Sequence, residues 1–352
     1  MNRNADYVSD VAYAAGFDLP WEKLRGAPVI ITGATGMIGS FLTDVLLYRN
    51  RRMGENIRIY AIGRSAQKAR DRFSDDFDDP SFHFIECDVK QNVSLPADVR
   101  GGYFLHLASN THPVAYASDP IGTITVNIIG LNNMLDAAAR HGAKRFIYAS
   151  SNEIYGENRG DTVLFDEAYC GYIDCNTLRA GYPESKRCGE ALCQAYRRSN
   201  GLDVVIPRFT RSYGPTMLPT DTKAISQFIR KAIAGEDIVL KSEGNQYYSY
   251  TYVADAVTGL LTVMLKGEDG RAYNISDEAS DIRLKDLAQL IAECAGKRVV
   301  FELPSETERA GYSRATVARI DGSALKALGW HAKYNIAQGI VRTIANLRAE
   351  QV

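Results

Sequence analysis

The sequence predicts a doubly wound α/β fold on a parallel sheet, with a smaller C-terminal lobe, and three observations carry this. Short β-branched runs alternate with helical segments up to about residue 207, the pattern of a parallel sheet wound with helices. The first run leads directly into a glycine-rich turn and a helix, Val29-Ile30-Ile31-Thr32-Gly33-Ala34-Thr35-Gly36-Met37-Ile38-Gly39. After about Arg208 the rhythm breaks at Gly214-Pro215 and Leu218-Pro219, where loops are expected.

In chain order, residues 1–26 read as an extension, with a short amphipathic helix around Tyr7–Ala15 and a linker through Pro20. Strands are expected at Val29–Thr32, Ile57–Ile62, Phe82–Glu86, Tyr103–Leu107, Phe146–Ala149 and Val204–Pro207. Helices are expected near Met37–Tyr48, Ala66–Phe73, Thr123–His141 and Tyr182–Arg198. Residues 27–207 are thus read as a nucleotide-binding domain. Residues 208–352 are read mainly as a substrate-binding lobe, with helices near Lys223–Ala234, Asp255–Leu265, Leu284–Ala295, Gly322–Leu328 and Ile336–Arg348 and a strand at Ala272–Ile275.

Composition narrows the function classes. The 352 residues carry 41 Lys plus Arg against 42 Asp plus Glu, so a surface basic enough for nucleic acid or an anionic membrane is not expected. Hydrophobic residues at 45% suit a large buried core. Six cysteines in so long a chain do not make a disulfide framework. Cys170, Cys175, Cys188 and Cys193 are spaced unlike a zinc knuckle, so reduced thiols and no metal are expected. The start lacks the apolar run of a signal peptide, and no apolar stretch reaches the roughly 18 residues of a membrane span. A cytoplasmic protein is expected.

The glycine-rich turn has the form that binds a dinucleotide. Gly33 permits the tight turn, Gly36 lets backbone approach a pyrophosphate, and Gly39 allows close helix–strand contact. The helix N-terminus offers its amides to the phosphates. The second strand ends Ile62-Gly63-Arg64, without the acid that usually binds the adenosine ribose. Arg64 can pair with a 2′-phosphate, which favours NADP over NAD; a solvated arginine beside NAD is the plainer alternative. Asp88 and Val89, after the third strand, are placed to meet adenine, unless Asp88 only caps a turn.

Tyr182 and Lys186 are four residues apart, hence on one helical face. A phenol of pKa about 10 is a poor base at neutral pH unless a neighbouring cation stabilises its phenolate. Ser151, after the fifth strand, can hold a substrate hydroxyl while Tyr182 takes its proton.

Gly33–Gly39, Asp88, His106-Leu107-Ala108-Ser109, Asn127, Ser151, Tyr182 and Lys186 together resemble the extended short-chain dehydrogenase/reductase family, over about residues 27–345. The chain looks most like its nucleotide-sugar epimerases, dehydratases and decarboxylases. The resemblance implies a Rossmann-type domain, a tightly held NAD(P), and transient oxidation of a sugar at C4. It also implies cofactor contacts from Thr35, Met37, Ile38, Leu107, Ala108 and Ser109, and an Asn127 that orders the proton relay of the tyrosine. A homodimer through the helices Thr123–His141 and Tyr182–Arg198 is expected.

Ser151-Asn152-Glu153 is similar to the Thr-Asp-Glu of sugar 4,6-dehydratases and the Thr-Ser-Glu of UDP-glucuronate decarboxylases. A carboxylate at Glu153 could act at C5 of a 4-keto sugar, or make only a local hydrogen bond. Asn152 removes the dehydratase acid, and Arg179-Ala180-Gly181-Tyr182 looks like the decarboxylase pattern. Two departures concern the nucleotide diphosphate: Tyr248 stands where relatives commonly have arginine, and Arg211 where they have asparagine. Arg211 is read as supplying the displaced charge, its alternative being a pair with a carboxylate. Arg314 and Arg319 are weaker phosphate candidates, and Trp330 is read as packing the lobe. Arg64, Arg179, Lys186, Arg208 and Arg211 are expected to line one crevice. The rival functions are an NADP(H)-dependent keto-sugar reductase and a non-catalytic dinucleotide sensor.

Overall fold

The computed structural model describes residues 4–111, 113–302, 304 and 316–349. β1 (Pro28–Thr32) is buried along its whole length, as a strand covered by helices on both faces must be. It pairs in parallel with β2 (Arg58–Gly63) on one side and β4 (Tyr103–His106) on the other. With β3 (Phe82–Glu86), β5 (Arg145–Tyr148), β7 (Val204–Phe209) and β11 (Ala272–Ile275), the order is β3-β2-β1-β4-β5-β7-β11, parallel throughout. The short β6 (Ser150–Ser151) pairs with β7. The chain reverses direction across the sheet between β1 and β4, so a crevice opens beyond their carboxyl ends.

The expected helix Thr123–His141 is broken into three pieces. α5 (Pro120–Thr125) passes into a π-helical turn at Val126–Gly130, and α6 (Leu131–Arg140) follows. α7 (Gly181–Asn200) is continuous and stops at Gly201, whose φ of 65° is left-handed.

Past β7, the strand β10 (Tyr247–Tyr252) is the centre of a second sheet. It pairs in parallel with β8 (Arg211–Tyr213) and antiparallel with β12 (Asp281–Arg283). The sequence reading found no strand here, although Tyr248-Ser249-Tyr250-Thr251-Tyr252 alternates aromatic and hydroxyl residues; in the fold both sets are buried. α9 (Val253–Lys266) is buried along most of its length, and Trp330 donates its indole N–H to Thr258 of that helix at 3.0 Å.

The N-terminal extension is part of the core. α1 (Ala5–Ala15) buries Tyr7, Val11, Ala14 and Ala15; the segment read as a linker buries Phe17 and Leu19, and Trp21 and Leu24 after it are buried too. Asp10, fully buried, accepts from the Tyr252 hydroxyl at 2.6 Å and from Arg342 Nε at 3.0 Å. Tyr13 donates to Asp255 at 2.9 Å. Among the described residues, no helix is long and apolar enough to cross a membrane, and no His/Cys/Asp/Glu cluster could hold a metal ion.

Candidate active site

The cradle at the end of β1 tolerates no side chain. Gly33 has φ 70°, and a Cβ there would lie 2.8 Å from the Ala108 amide nitrogen. A Cβ on Gly39 would lie 2.3 Å from the Gly33 carbonyl oxygen. Gly36 caps α2 (Met37–Met53) without a side-chain bond, so the first-turn amides have no internal acceptor. Thr35, Gly36, Met37 and Ile38 are half-buried around this opening, and so are Leu107, Ala108 and Ser109 beyond β4. These residues fit a dinucleotide pyrophosphate.

Arg64 is exposed just past β2, with Gly63 before it. Asp88 accepts from the Lys90 amide at 2.9 Å, which closes a turn, and Val89 is buried.

Ser151 caps the 3-10 turn Asn152–Tyr155 by accepting from the Glu153 amide at 3.2 Å. Tyr182 and Lys186 lie on the buried face of α7. Burial, together with the Glu153 charge, pushes the Tyr182 phenol up; hydrogen bonds from Ser151 and Tyr116 and the charge of Arg179 oppose it. Burial lowers Lys186 to about 7, against the raising influence of Cys193 and Glu190. Its ammonium donates to the Ala149 carbonyl at 2.7 Å and lies 5.9 Å from the Tyr182 ring centroid.

Asn127 sits in the π-helical turn, the kind of distortion that gathers at functional sites. Its amide donates to Ser185 Oγ at 2.9 Å, and that hydroxyl donates to the Tyr182 carbonyl at 2.8 Å. Asn127 Oδ1 is buried without a partner.

A cleft open to solvent is lined by Asn152, Glu153, Tyr172, Arg179, Pro183 and Arg211, among others. Arg179 donates to Glu153 at 2.6 Å, so two groups expected to meet substrate separately are ion-paired. The Arg211 guanidinium lies 3.5 Å from the centroid of the Tyr248 ring. With the Asn152 amide oriented to satisfy its neighbours, its oxygen accepts from Arg211 at 3.0 Å and its nitrogen donates to the Phe209 carbonyl at 3.2 Å.

Two expectations change. Arg208 does not face the crevice: it is buried, donates to both oxygens of Glu190 at 2.9 and 2.7 Å, and reaches the Tyr155 hydroxyl and the Glu167 carbonyl. A buried guanidinium requires such partners for its donors. Arg319 pairs with Asp281 at 2.7 Å, and Arg314 lies outside the described residues. The sequence reading also missed Tyr116, in the helix Pro113–Ser118. Its ring stacks on Tyr182 at 4.7 Å and 23° and lies 4.9 Å from the Arg179 guanidinium. A lone tyrosine in a short helix gave no signal.

A buried phenol and ammonium beside a glycine-rich cradle are the groups suited to removing a proton from a hydroxyl whose carbon is oxidised by a dinucleotide. The chain belongs to the NAD dependent epimerase/dehydratase family, whose model matches residues 29–276. It is 30% identical to UDP-glucuronic acid decarboxylase 4 of Arabidopsis thaliana over 97% of this chain and 73% of that one. It is 29% identical to UDP-glucuronic acid decarboxylase 1 of Xenopus tropicalis over 92% of this chain and 72% of that one. Among solved structures, the fold resembles dTDP-glucose 4,6-dehydratase of Streptomyces venezuelae, with TM-score 0.79, 22% identity, and 92% and 97% of the two chains covered. It also resembles UDP-glucuronic acid 4-epimerase of Bacillus cereus in complex with UDP-glucuronic acid and NAD, with TM-score 0.77, 21% identity, and coverage of 92% and 100%.

Proposed function

We propose that this enzyme oxidises a UDP-linked uronic acid at C4 and then releases its C5 carboxyl group as carbon dioxide. The observation that carries this reading is the Arg179–Glu153 ion pair at 2.6 Å, in the cleft and beside Tyr182. An arginine there can take the substrate carboxylate bidentately, and Glu153, freed from it, can handle a proton near C5. The relatives named as UDP-glucuronic acid decarboxylases support this choice.

The roles follow from the side chains. Ser151 holds the C4 hydroxyl, Tyr182 accepts its proton, and the Lys186 ammonium stabilises the phenolate. The dinucleotide, when bound, supplies a hydride acceptor that also returns the hydride, so no net oxidation results. With C4 a carbonyl, the C5–carboxyl bond can break with its electron pair delocalised onto the C4 oxygen, and a proton then adds at C5. Gly33, Thr35, Gly36, Met37, Ile38, Gly39, Leu107, Ala108 and Ser109 hold the dinucleotide in this reading. Asp88 and Val89 border its adenine, and Asn152, Arg211 and Tyr248 take the nucleotide diphosphate of the substrate.

Arg64 supports NADP over NAD. It also sustains one second reading, an NADP(H)-dependent keto-sugar reductase, which would consume NADPH steadily. The six cysteines are free, which accords with a cytoplasmic enzyme. The exposed Ile121 and Ile129, and Leu178 at 73% exposure, support a homodimer through the helices around α5 and α7. Incubation with UDP-glucuronate, followed by NMR and carbon dioxide capture, tests the main reading. A UDP-pentose with stoichiometric carbon dioxide is expected. Unchanged substrate overturns the decarboxylase assignment, and the mass of the cofactor released on denaturation decides between NADP and NAD.

A further inference from the structure

Lys186 is enclosed by groups of which one is a carboxylate, Glu190, and that carboxylate is held by Arg208 at 2.7 Å. On its own helix it faces Tyr182, Glu190 and Cys193; from β4 it faces His106, and from β5 Tyr148. Burial and the nearby Lys186 charge lower His106 to about 3, so its imidazole is neutral. Tyr182 is a phenol with its proton held tightly. Among the described residues, the ammonium donates to the Ala149 carbonyl.

Tyr148 lies under that ammonium, with Nζ 5.0 Å from the ring centroid, inside the range for attraction between a cation and an aromatic face. The ring is fully buried and stacks with the His106 ring at 6.3 Å and 13°. Its hydroxyl is buried and has no hydrogen-bond partner, so what the side chain offers here is its ring. Space for that ring is made by Gly189, less than one turn beyond Lys186 on α7: a Cβ there would lie 2.1 Å from the Tyr148 hydroxyl oxygen. The backbone thus admits a large aromatic beneath the lysine at the cost of a glycine within a helix, a residue less favourable there than alanine.

We propose that Tyr148 is a positioning residue: its ring, admitted by Gly189, seats the Lys186 ammonium by a cation–π contact and keeps the lysine protonated beside Tyr182. The inference rests on the reading of Tyr182 and Lys186 as the reacting pair. Desolvation alone would strip the proton from a lysine this deeply buried. The ring supplies attraction without introducing a carboxylate that would compete for the ammonium.

The test follows the ¹³Cε resonance of Lys186 through a pH titration of the protein with labelled lysine, the signal being assigned by its loss in Lys186→Met. The native midpoint is expected near 7. Tyr148→Phe keeps the ring and should titrate like the native protein. Tyr148→Leu combined with Gly189→Ala, which fills the vacated space, should titrate about one pH unit lower. A native midpoint in that double variant overturns the inference. Should it fail to fold, Gly189→Ala alone, whose Cβ would lie 2.5 Å from the Tyr148 Cζ, must displace the ring and lower the midpoint; no shift in that variant also overturns the inference. Failure of the underlying reading has a separate signature, namely that Tyr182→Phe and Lys186→Met still turn over UDP-glucuronate.

Discussion

Arg211→Ala is the substitution that most directly tests how this chain binds a nucleotide diphosphate. The Arg211 guanidinium carbon lies 3.5 Å from the Tyr248 ring centroid, and the guanidinium bonds the Asn152 amide oxygen at 3.0 Å. One face is therefore fixed by the ring, and the remaining N–H donors are available to a ligand in the cleft. A hydrogen bond to a charged group contributes about 1.5–3 kcal/mol. At ~1.4 kcal/mol per tenfold, Arg211→Ala should weaken UDP binding by roughly 10- to 100-fold. Lysine keeps the charge but not the planar fork, so Arg211→Lys should recover only part of that loss. Tyr248→Phe keeps the ring and should bind UDP as the native enzyme does.

Isothermal titration with UDP measures this, with free glucuronate as the control ligand lacking a diphosphate. Affinity for glucuronate should be the same in both proteins, and the melting temperature should show that the variant is folded. UDP affinity within twofold of native in a folded Arg211→Ala protein refutes the assignment. It would mean that Arg211 only packs on Tyr248.

Four further outcomes are expected. Gly39→Ala forces a Cβ to within 2.3 Å of the Gly33 carbonyl and should abolish retention of the dinucleotide, read by absorbance of the denatured supernatant. Asp10→Ala leaves the Tyr252 hydroxyl and the Arg342 guanidinium without their buried acceptor and should destabilise the protein by about 3 kcal/mol in urea unfolding. Lys186 gives up its proton near 7 when folded but near 10.4 when unfolded, so between these values the unfolded chain binds more protons. Native stability should then rise with pH relative to Lys186→Met by about 1.4 kcal/mol per unit, and a flat difference from pH 7.5 to 9 would show that the lysine titrates normally. Glu153→Gln should bind UDP unchanged yet lose most carbon dioxide release, because the amide neither pairs fully with Arg179 nor moves a proton.

The parallel sheet was legible because its central strand is buried on both faces and reads as an unbroken β-branched run, Val29–Thr32. The cradle was legible because Gly33 and Gly39 are demanded by backbone contacts that no other residue permits. What was illegible depends on partners distant in sequence. Phe17, Leu19, Trp21 and Leu24 lie around Gly16 and Pro20, residues that mark turns, so the segment did not read as core. Their burial becomes visible only once α1 lies against the main body. The π-helical turn at Val126–Gly130 has no compositional mark, yet it breaks the helix expected over Thr123–His141 and carries Asn127. Tyr116 was invisible for the same reason: only the fold brings it onto Tyr182, 66 positions away in sequence.

Charge in the cleft is where sequence and structure differ most usefully. Arg64, Arg179, Lys186, Arg208 and Arg211 suggested a basic crevice inside a nearly neutral protein. In the fold, Arg208 is matched by Glu190 and Arg179 by Glu153, at 2.7 and 2.6 Å, and burial weakens the hold of Lys186 on its proton. The neighbours of Arg211, Tyr248 and Asn152, are neutral, so its charge remains available to a ligand. The two cleft arginines therefore divide the work. In the proposed reaction, Arg211 is free to meet an anion at once, whereas Arg179 would have to exchange Glu153 for the carboxylate of the substrate. That exchange couples recognition of the acid to release of Glu153 near C5, so a neutral hexose on the same nucleotide should bind without freeing the carboxylate. UDP-glucose should accordingly occupy the site with an affinity close to that of UDP and undergo no bond cleavage at C5; rapid loss of its C5 deuterium to solvent would break the argument.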